Sequence, residues 1–438
     1  MNFKNHIYIV VRAWFPHQPF IYIAFTLLSF ANNSQAQDST YARQVIKTLT
    51  SPEFEGRGYV KDGDAKAAKY IASEYKRIGL QSFGENYFQQ FSFPVNKFPF
   101  DVKVDIDGLE LVAGKDFIVS PDCPTIIGVY DFIRLDSQTI DNSALWKKFL
   151  KKKKRNYFII VDKTLLANII HKENLNMVAH NQVKARGIIY LEDKFTWSVS
   201  TTQGKFPIIS IKKEIFKSFR YHINLDIQPQ YTGGHATQNV VAYIKGNKYP
   251  DSFLVFTAHY DHLGRMGPNA YFPGANDNAS GVAMLLDLAK KVSKQKNNCS
   301  IAFICFAGEE AGLVGSLYYT SYPLFPLPQI RFLFNMDLMG TGENGATIVN
   351  GTEYRKQFDT LVYLNNTLSL LPAINIRGKA SNSDHYFFSE HGVPSFFIYL
   401  MGNYTNYHDI YDTNEALPLN RYNQAFQLIS SFLKVMDY

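Results

Sequence analysis

Carboxylate and imidazole side chains follow the ends of three apolar runs in the second half of the chain. In chain order, they are His259 and Asp261 after the run 253–257, Glu309 and Glu310 after the run 301–306, and Asp337 after the run 332–334. Nitrogen and oxygen ligands of these types bind transition metals, and carboxylates also transfer protons during hydrolysis. The set therefore has the residue types that metal-assisted hydrolysis requires.

The apolar runs predict the strands of a sheet that positions these side chains. The runs are continuous and lie at 240–244, 253–257, 301–306, 332–334 and 394–400. Strands that are apolar at every position suit the centre of a mainly parallel sheet, and helical periodicity after residue 282 and after residue 422 supplies covering helices. The sequence thus predicts an α/β fold with a mixed, mainly parallel central sheet flanked by helices, and ligands bind at the carboxyl edge of such sheets.

Two further side chains belong at the same edge. Asp277 lies in a loop of small residues that leads into a helix, and His408 follows the last apolar run. Taken singly, Asp277 could be a helix cap, and Glu309 with Glu310 could be an acidic helix start. Taken together, the carboxylates would raise one another's pKa and destabilise the fold unless cations compensate them. Two histidines favour a transition metal over calcium or magnesium.

The number of candidate ligands favours two metal ions per chain. The candidates, which outnumber the protein ligands of a typical one-zinc catalytic site, are His259, Asp277, Glu310, Asp337 and His408. If Asp277 bridges, each ion receives one histidine, one further carboxylate and half of the bridge, which leaves room for a shared water or hydroxide.

Two acids remain beside the candidate ligands. Asp261 is expected to accept the proton of the His259 nitrogen that does not bind metal, which fixes the orientation of the ring. Glu309 is expected to take a proton from the water and deliver it to the leaving amine.

The chain divides into four predicted segments. Residues 1–36 have basic residues, then an apolar run, then small residues, which is the order of a cleaved signal peptide. Residues 37–100 are the helical N-terminal part of the catalytic domain, with a helical pattern from 40 to 93 and Gly79 where a helix would end. Short β-like runs in residues 101–235 predict an inserted β-rich domain, and residues 236–438 form the rest of the catalytic domain.

Charge and cysteine content exclude other classes of protein. The net charge of +7 is concentrated in two lysine-rich runs without a base-reading motif, so no nucleic-acid partner is predicted. The three cysteines give neither a disulfide framework nor a thiolate zinc site. The signal segment predicts a secreted or periplasmic protein without a stable membrane span after cleavage, and the oligomeric state stays open.

Taken in order, the motifs resemble those of the co-catalytic di-zinc exopeptidase family, which includes bacterial secreted leucyl aminopeptidases and glutamate carboxypeptidases. They are His259-Tyr260-Asp261, Gly274-Ala275-Asn276-Asp277-Asn278-Ala279-Ser280-Gly281-Val282, Gly308-Glu309-Glu310, Asn335-Met336-Asp337, Ser383-Asp384-His385 and Tyr407-His408. The match covers residues 238–438, and residues 49–58 with the helix to Leu80 resemble the family's opening helices. Residues 185–190 and 206–211 give the insert a resemblance to a protease-associated domain, with a generic β-rich insert as the alternative.

The resemblance implies a role for each motif residue. It assigns His259 and Asp337 to one zinc, Glu310 and His408 to the other, Asp277 to the bridge and Glu309 to general base catalysis. Tyr407 would donate a hydrogen bond to the carbonyl oxygen in the transition state, which is typically worth a few kcal/mol. The sequence departs from the family where Asp409 replaces the small hydroxyl residue that commonly follows Tyr-His.

The function expected from these residues is zinc-dependent hydrolysis of a terminal peptide bond, most of all at the N-terminus of peptide substrates. A carboxypeptidase and a glutaminyl cyclase on the same fold are the enzyme alternatives, and such cyclases work with one zinc. The alternative outside enzymes is a non-catalytic receptor or binding module, and relatives of that kind usually lack some of the ligands.

Overall fold

The computed structural model describes residues 39–217 and 222–438. The predicted signal segment, residues 1–36, lies outside the described residues. In the described part of the chain, no helix combines the length and the apolar character that crossing a membrane requires. Cys123, Cys299 and Cys305 are buried free thiols.

Strands and α-helices mostly alternate in the last third of the chain, whereas residues 88–135 and 187–272 contain successive strands without an α-helix between them. The strands are β1 (Phe88–Lys97), β2 (Val102–Ile106), β3 (Leu109–Glu110), β4 (Phe117–Val119), β5 (Ile126–Leu135), β6 (Tyr157–Asp162), β7 (Gly187–Glu192), β8 (Ile208–Lys212), β9 (His222–Ile227), β10 (Gln230–Ile244), β11 (Tyr249–His259), β12 (Gly264–Met266), β13 (Ala270–Phe272), β14 (Cys299–Phe306), β15 (Ile330–Met336), β16 (Gly345–Val349), β17 (Ile374–Ile376) and β18 (Ser395–Met401). The helices are α1 (Ser39–Leu49), α2 (Gly63–Ile78), α3 (Ser137–Asp141), α4 (Ser143–Lys151), α5 (Lys172–Ala179), α6 (Ser280–Val292), α7 (Val314–Ser321), α8 (Arg355–Leu368), α9 (His385–Glu390) and α10 (Tyr422–Met436).

The main sheet has the strand order β1-β10-β14-β11-β15-β18-β16-β17. Its central ladders, β14 with β11, β11 with β15 and β15 with β18, are parallel, while the pairs β1 with β10, β10 with β14 and β16 with β18 are antiparallel. The predicted α/β fold with a mixed, mainly parallel sheet is confirmed. Every residue of β14 is buried, as expected for a continuous apolar run at the centre of a sheet.

Helices cover both faces of this sheet. Because successive side chains of a strand point to opposite faces, Ile301 and Phe303 of β14 pack in one core with α1, α2, α6, α8 and α10. Ala302 and Ile304 pack in a second core on the other face, with Tyr319 of α7 and Phe388 of α9. The main sheet is therefore the middle layer of a three-layer structure, and the carboxyl ends of β11, β14 and β15 lie along one of its edges.

The segment between α2 and the second sheet differs from the helical pattern predicted up to residue 93. The predicted helix end at Gly79 is observed, with φ +87°. Beyond it, Phe88–Lys97 is a strand that pairs with β10 along the edge of the main sheet. Phe91, Phe93 and Val95 are buried at every second position. This spacing favours a strand over a helix, because successive side chains of a strand point to opposite faces and only alternate ones reach the core.

A second sheet, with the order β3-β2-β9-β5-β6-β7-β8-β4, uses strands from residues 102–227. The ladders from β5 through β8 are parallel. Helices α3, α4 and α5 pack on one face through a core that includes Ile140, Trp146 and Val178. The predicted β-rich insert of residues 101–235 did not include these helices. Residues 230–235, which were predicted to belong to the insert, are part of β10 in the main sheet. The domain boundaries themselves stay predictions.

The chain leaves the main sheet and returns to it at adjacent positions. Lys97, at the end of β1, pairs with Gln230, at the start of β10. Val102, at the start of β2, pairs with Ile227, at the end of β9. The second sheet is thus inserted into what would otherwise be a β-hairpin.

Candidate metal centre

The five predicted ligands meet at the carboxyl edge of the main sheet. The Nε2 atom of His259 lies 3.3 Å from Oδ1 of Asp277 and 3.4 Å from Oδ1 of Asp337. The Nε2 atom of His408 lies 2.9 Å from Oδ2 of Asp277 and 3.3 Å from Oε2 of Glu310. The two oxygens of Asp277 therefore face different histidines, and its carboxylate does not serve as a helix cap for α6.

The donor atoms fit divalent cations. One group, His259, Glu309 and Asp337, and a second group, His262, Asp277 and Glu310, each bring one donor atom per residue to within 4.8 Å of the others. Among the described residues, the buried Oδ1 of Asp337 has no hydrogen-bond partner. Buried polar atoms are normally satisfied, so this orphaned oxygen is consistent with a metal ligand.

The histidines and carboxylates shift one another's pKa. Burial lowers the pKa of His408, but Glu310 and Asp277 raise it more, to about 11. Burial raises the pKa of Glu310, but His408 and His262 lower it to about 2 against the opposing effect of Asp277. Protons on His259 and His408, whose pKa values are both raised, thus balance the ionised carboxylates. Zinc binding would release those protons, because histidine binds metal through a deprotonated nitrogen.

Glu309 differs electrostatically from its neighbour Glu310. Burial raises the pKa of Glu309 well above its ordinary range, with His259 opposing the shift and Glu310 adding to it. A carboxylate with a raised pKa is a stronger base than an ordinary glutamate. Without a metal, Glu309 thus holds a proton more tightly than an exposed glutamate does, whereas Glu310 holds one less tightly.

Asp261 makes different contacts from those predicted. Its carboxylate Oδ1 lies 3.8 Å from Nδ1 of His259, too far for a hydrogen bond, and the backbone oxygen of Asp261 is nearer at 3.2 Å. The carboxylate instead accepts the backbone N–H groups of Glu309, at 3.1 Å, and Glu310, at 3.3 Å, and the hydroxyl of Tyr59 at 2.6 Å. Asp261 holds the turn that presents the two glutamates.

Tyr407 lies over the ring of His408. The two rings stack with centroids 4.0 Å apart, and 44% of Tyr407 is exposed. Partial burial and the nearby Asp277 raise the pKa of the phenol well above its ordinary value. The hydroxyl is therefore protonated at neutral pH and can donate a hydrogen bond.

The sequence reasoning gave no role to Arg57, whose side chain is fully buried. Its guanidinium donates hydrogen bonds to the backbone oxygens of Leu49, Tyr260, Pro273, Gly274 and Asp277. Gly58 lies beside it, and a Cβ there would come within 2.3 Å of Gly264 Cα. The glycine permits this close approach of two backbone segments, but the sequence alone contains no signal that the neighbouring arginine is buried.

The sequence reasoning also missed two other residues of the site, Asp412 and His262. Asp412 accepts the backbone N–H groups of Asn276 and Asp277, with Asp277 N 3.1 Å from Oδ2, and so fixes the loop that carries the bridging carboxylate. His262 is fully buried, and its Nδ1 lies 2.8 Å from Oε1 of Glu310. Its position three residues after His259 was the available signal.

The segment between β7 and β8 supports His408. Nδ1 of His408 lies 2.8 Å from the backbone oxygen of Trp197, and the backbone N–H of Trp197 donates to the backbone oxygen of His408 at 2.9 Å. A hydrogen bond from the second ring nitrogen fixes which nitrogen can bind metal. The part of the chain that carries the second sheet therefore orients one candidate ligand.

Asp384 is a buried acid beside the site whose two oxygens have no hydrogen-bond partner among the described residues. Burial raises its pKa from 3.8 to about 7. Because the folded state holds this proton more tightly, the stability from Asp384 is full below about pH 4 and is lost as the pH rises through about 7.

The substitution Asp384→Asn should therefore stabilise the zinc-depleted protein at pH 8, by up to about 4 kcal/mol, and have little effect at pH 4. Urea unfolding of the chelated wild type and variant across this range measures the difference. A constant difference at all pH values would contradict the assignment. Added zinc should shrink the pH dependence, because a nearby cation favours the ionised carboxylate.

Part of this chain resembles known peptidases in sequence. Residues 239–433 match the model of peptidase family M28. Aminopeptidase YwaD of Bacillus subtilis (strain 168) is 26% identical over 263 residues, which are 56% of this chain. The same alignment covers 56% of the length of YwaD.

Two solved structures share the fold. BSAP, a zinc aminopeptidase from Bacillus subtilis, superposes with a TM-score of 0.68 at 18% identity, over 91% of this chain and 94% of that one. A peptidase M28 precursor from Shewanella amazonensis SB2B gives a TM-score of 0.67 at 17% identity, over 92% and 94%. The candidate ligands, from His259 to His408, all lie in the matched segment. Residues 239–433 of this chain belong to peptidase family M28.

Proposed function

We propose that this protein is a two-zinc aminopeptidase that removes N-terminal residues from peptides. The observation that carries the proposal is the placement of Asp277, whose two oxygens face His259 and His408, with one further carboxylate beside each histidine. The names of YwaD and BSAP, both aminopeptidases, support the choice of reaction. The predicted signal segment 1–36 would place this activity outside the cytoplasm.

Five side chains would hold the zinc ions. His259 and Asp337 would bind one, Glu310 and His408 the other, and Asp277 would lie between them. When bound, paired zinc ions act as Lewis acids toward the peptide carbonyl and lower the pKa of a coordinated water.

The acid–base step belongs to Glu309 in this proposal. Its raised pKa suits it to take a proton from the attacking water and to pass that proton to the nitrogen of the leaving amine. Asp261 keeps Glu309 in place through the backbone N–H of the turn. Glu309 would not bind metal in this proposal. The neighbouring Glu310, whose pKa is lowered, would supply the negatively charged ligand.

Tyr407 is proposed to stabilise the transition state. Its exposed, protonated hydroxyl can donate to the carbonyl oxygen as negative charge develops there, and a donor of this kind is worth about 3 kcal/mol. Stacking on His408 holds the ring close to the metal ligands.

Metal content and the requirement for a free amine test the proposal. We expect close to two zinc ions per chain and hydrolysis of aminoacyl substrates that stops on chelation and returns with zinc. Substrates with a blocked amine should not be cleaved. One zinc with cyclisation of N-terminal glutamine would indicate a cyclase, cleavage at the carboxyl terminus would indicate a carboxypeptidase, and zinc-free, inactive folded protein would indicate a binding module.

A further inference from the structure

His262 is a buried imidazole that none of the proposed roles uses. Its Nδ1 lies 2.8 Å from Oε1 of Glu310, while Oε2 of the same carboxylate lies 3.3 Å from Nε2 of His408. The two oxygens of Glu310 thus have different neighbours. Because a carboxylate oxygen can only accept, the contact requires a proton on Nδ1 of His262.

We propose that His262 is a positioning residue for Glu310: by donating to Oε1, it turns Oε2 toward the zinc ion that Glu310 would share with His408. The inference rests on the proposed metal centre and adds a residue that controls the affinity of one of its two sites. A hydrogen bond to the second oxygen restricts rotation of the carboxylate, so less conformational freedom is lost when the metal binds.

The surroundings of the ring allow it little movement. The backbone N–H of His262 donates to the backbone oxygen of Arg57 at 3.3 Å. Gly274, at φ +62°, packs against the ring so closely that a Cβ at this position would lie 2.4 Å from Cδ2 of His262. The loop that presents Asp277 therefore also confines His262.

The hydrogen bonding of the ring is directed at Glu310. Among the described residues, its other nitrogen, Nε2, is buried and has no hydrogen-bond partner. The ring of His408 is a neighbour, with centroids 5.7 Å apart and planes at 76°. His262 also shares a group of possible donor atoms with Asp277 and Glu310, so direct zinc ligation is the competing role.

Three substitutions separate positioning from ligation. In His262→Asn the side-chain amide lies near the position of Nδ1 and can still donate to Glu310, although an amide is a poor zinc ligand. In His262→Gln the amide lies near the position of Nε2, so the donor is misplaced in a side chain of similar polarity. His262→Leu removes the donor.

The measurement is the zinc dissociation constant of each site, obtained by competition with a chelator of known affinity, together with thermal unfolding of the chelated proteins. We expect His262→Gln and His262→Leu to weaken one site by about 10- to 100-fold and to leave the other unchanged. His262→Asn should bind both ions with affinities close to the wild type. If His262→Leu does not fold, the comparison of His262→Asn with His262→Gln still tests the positioning role.

Two outcomes would overturn the inference. Unchanged affinity in His262→Gln would remove the positioning role, and equal loss of one ion in all three variants would make His262 a ligand. The affinity measurement does not depend on substrate. A wild type that binds zinc but cleaves no peptide would therefore refute the proposed function while leaving the role of His262 testable.

Discussion

Glu309→Gln should lower kcat by about 10²- to 10⁴-fold and leave both zinc content and thermal stability close to those of the wild type. Glutamine has almost the same shape as glutamate but cannot accept a proton, so the variant removes the proton transfer alone. The backbone N–H of residue 309, which donates to Asp261, is retained. KM should change much less than kcat, because the step that fails follows substrate binding.

Steady-state kinetics on an aminoacyl substrate and zinc analysis of the same preparations measure these effects. Glu173→Gln is the matched control, since Glu173 is an exposed residue of α5 in the second sheet region. Activity within a few-fold of the wild type in Glu309→Gln would remove the general-base assignment. Loss of zinc from this variant would instead make Glu309 a ligand.

Arg57→Leu should lower the free energy of unfolding by about 5 kcal/mol or more, which approaches the whole stability of many domains. Five backbone oxygens lose a charged donor, and most of them are buried at the joint between α1, the end of β11 and the loop with Asp277. The free energy of unfolding of Arg57→Lys should lie between those of the wild type and Arg57→Leu, because an ammonium group has fewer N–H donors than a guanidinium group.

Urea unfolding and the yield of soluble protein check this expectation. Arg355→Leu on the exposed side of α8 is the control, and it should change stability by less than about 0.5 kcal/mol. Wild-type stability in Arg57→Leu would mean that water replaces the lost donors. The buried guanidinium would then not organise the site.

The central strands could be predicted from the sequence because their burial constrains every position. In β14, all residues from Cys299 to Phe306 are buried, so the run has to be apolar throughout. At the edge of the sheet this constraint fails. In β1, only alternate residues such as Phe91, Phe93 and Val95 reach the core, and the short period was not distinguished from the end of the preceding helical pattern.

The chemistry of the site was also partly visible in the sequence. His259 and Asp337 lie at the carboxyl ends of the neighbouring parallel strands β11 and β15, so the topology alone brings them together. Contacts that depend on side-chain packing could not be predicted. Arg57 reaches the loop at Asp277 across 220 positions of the chain, and only the folded backbone determines which carbonyl oxygens meet its guanidinium. The carboxylate of Asp261 likewise had several donors within reach, and the structure selects the backbone of the glutamate turn.

The insertion of the second sheet between β1 and β10 has a consequence for folding. Closing a flexible loop costs conformational entropy that grows with the logarithm of its length, about 0.6 kcal/mol for each doubling. The pairing of Val102 with Ile227 within the second sheet brings together the chain ends that continue to Lys97 and Gln230. Once that sheet has formed, β1 and β10 are separated by a short effective loop rather than by the whole intervening segment. We therefore expect the second sheet to fold before the edge of the main sheet closes, and its weakening to slow that closure.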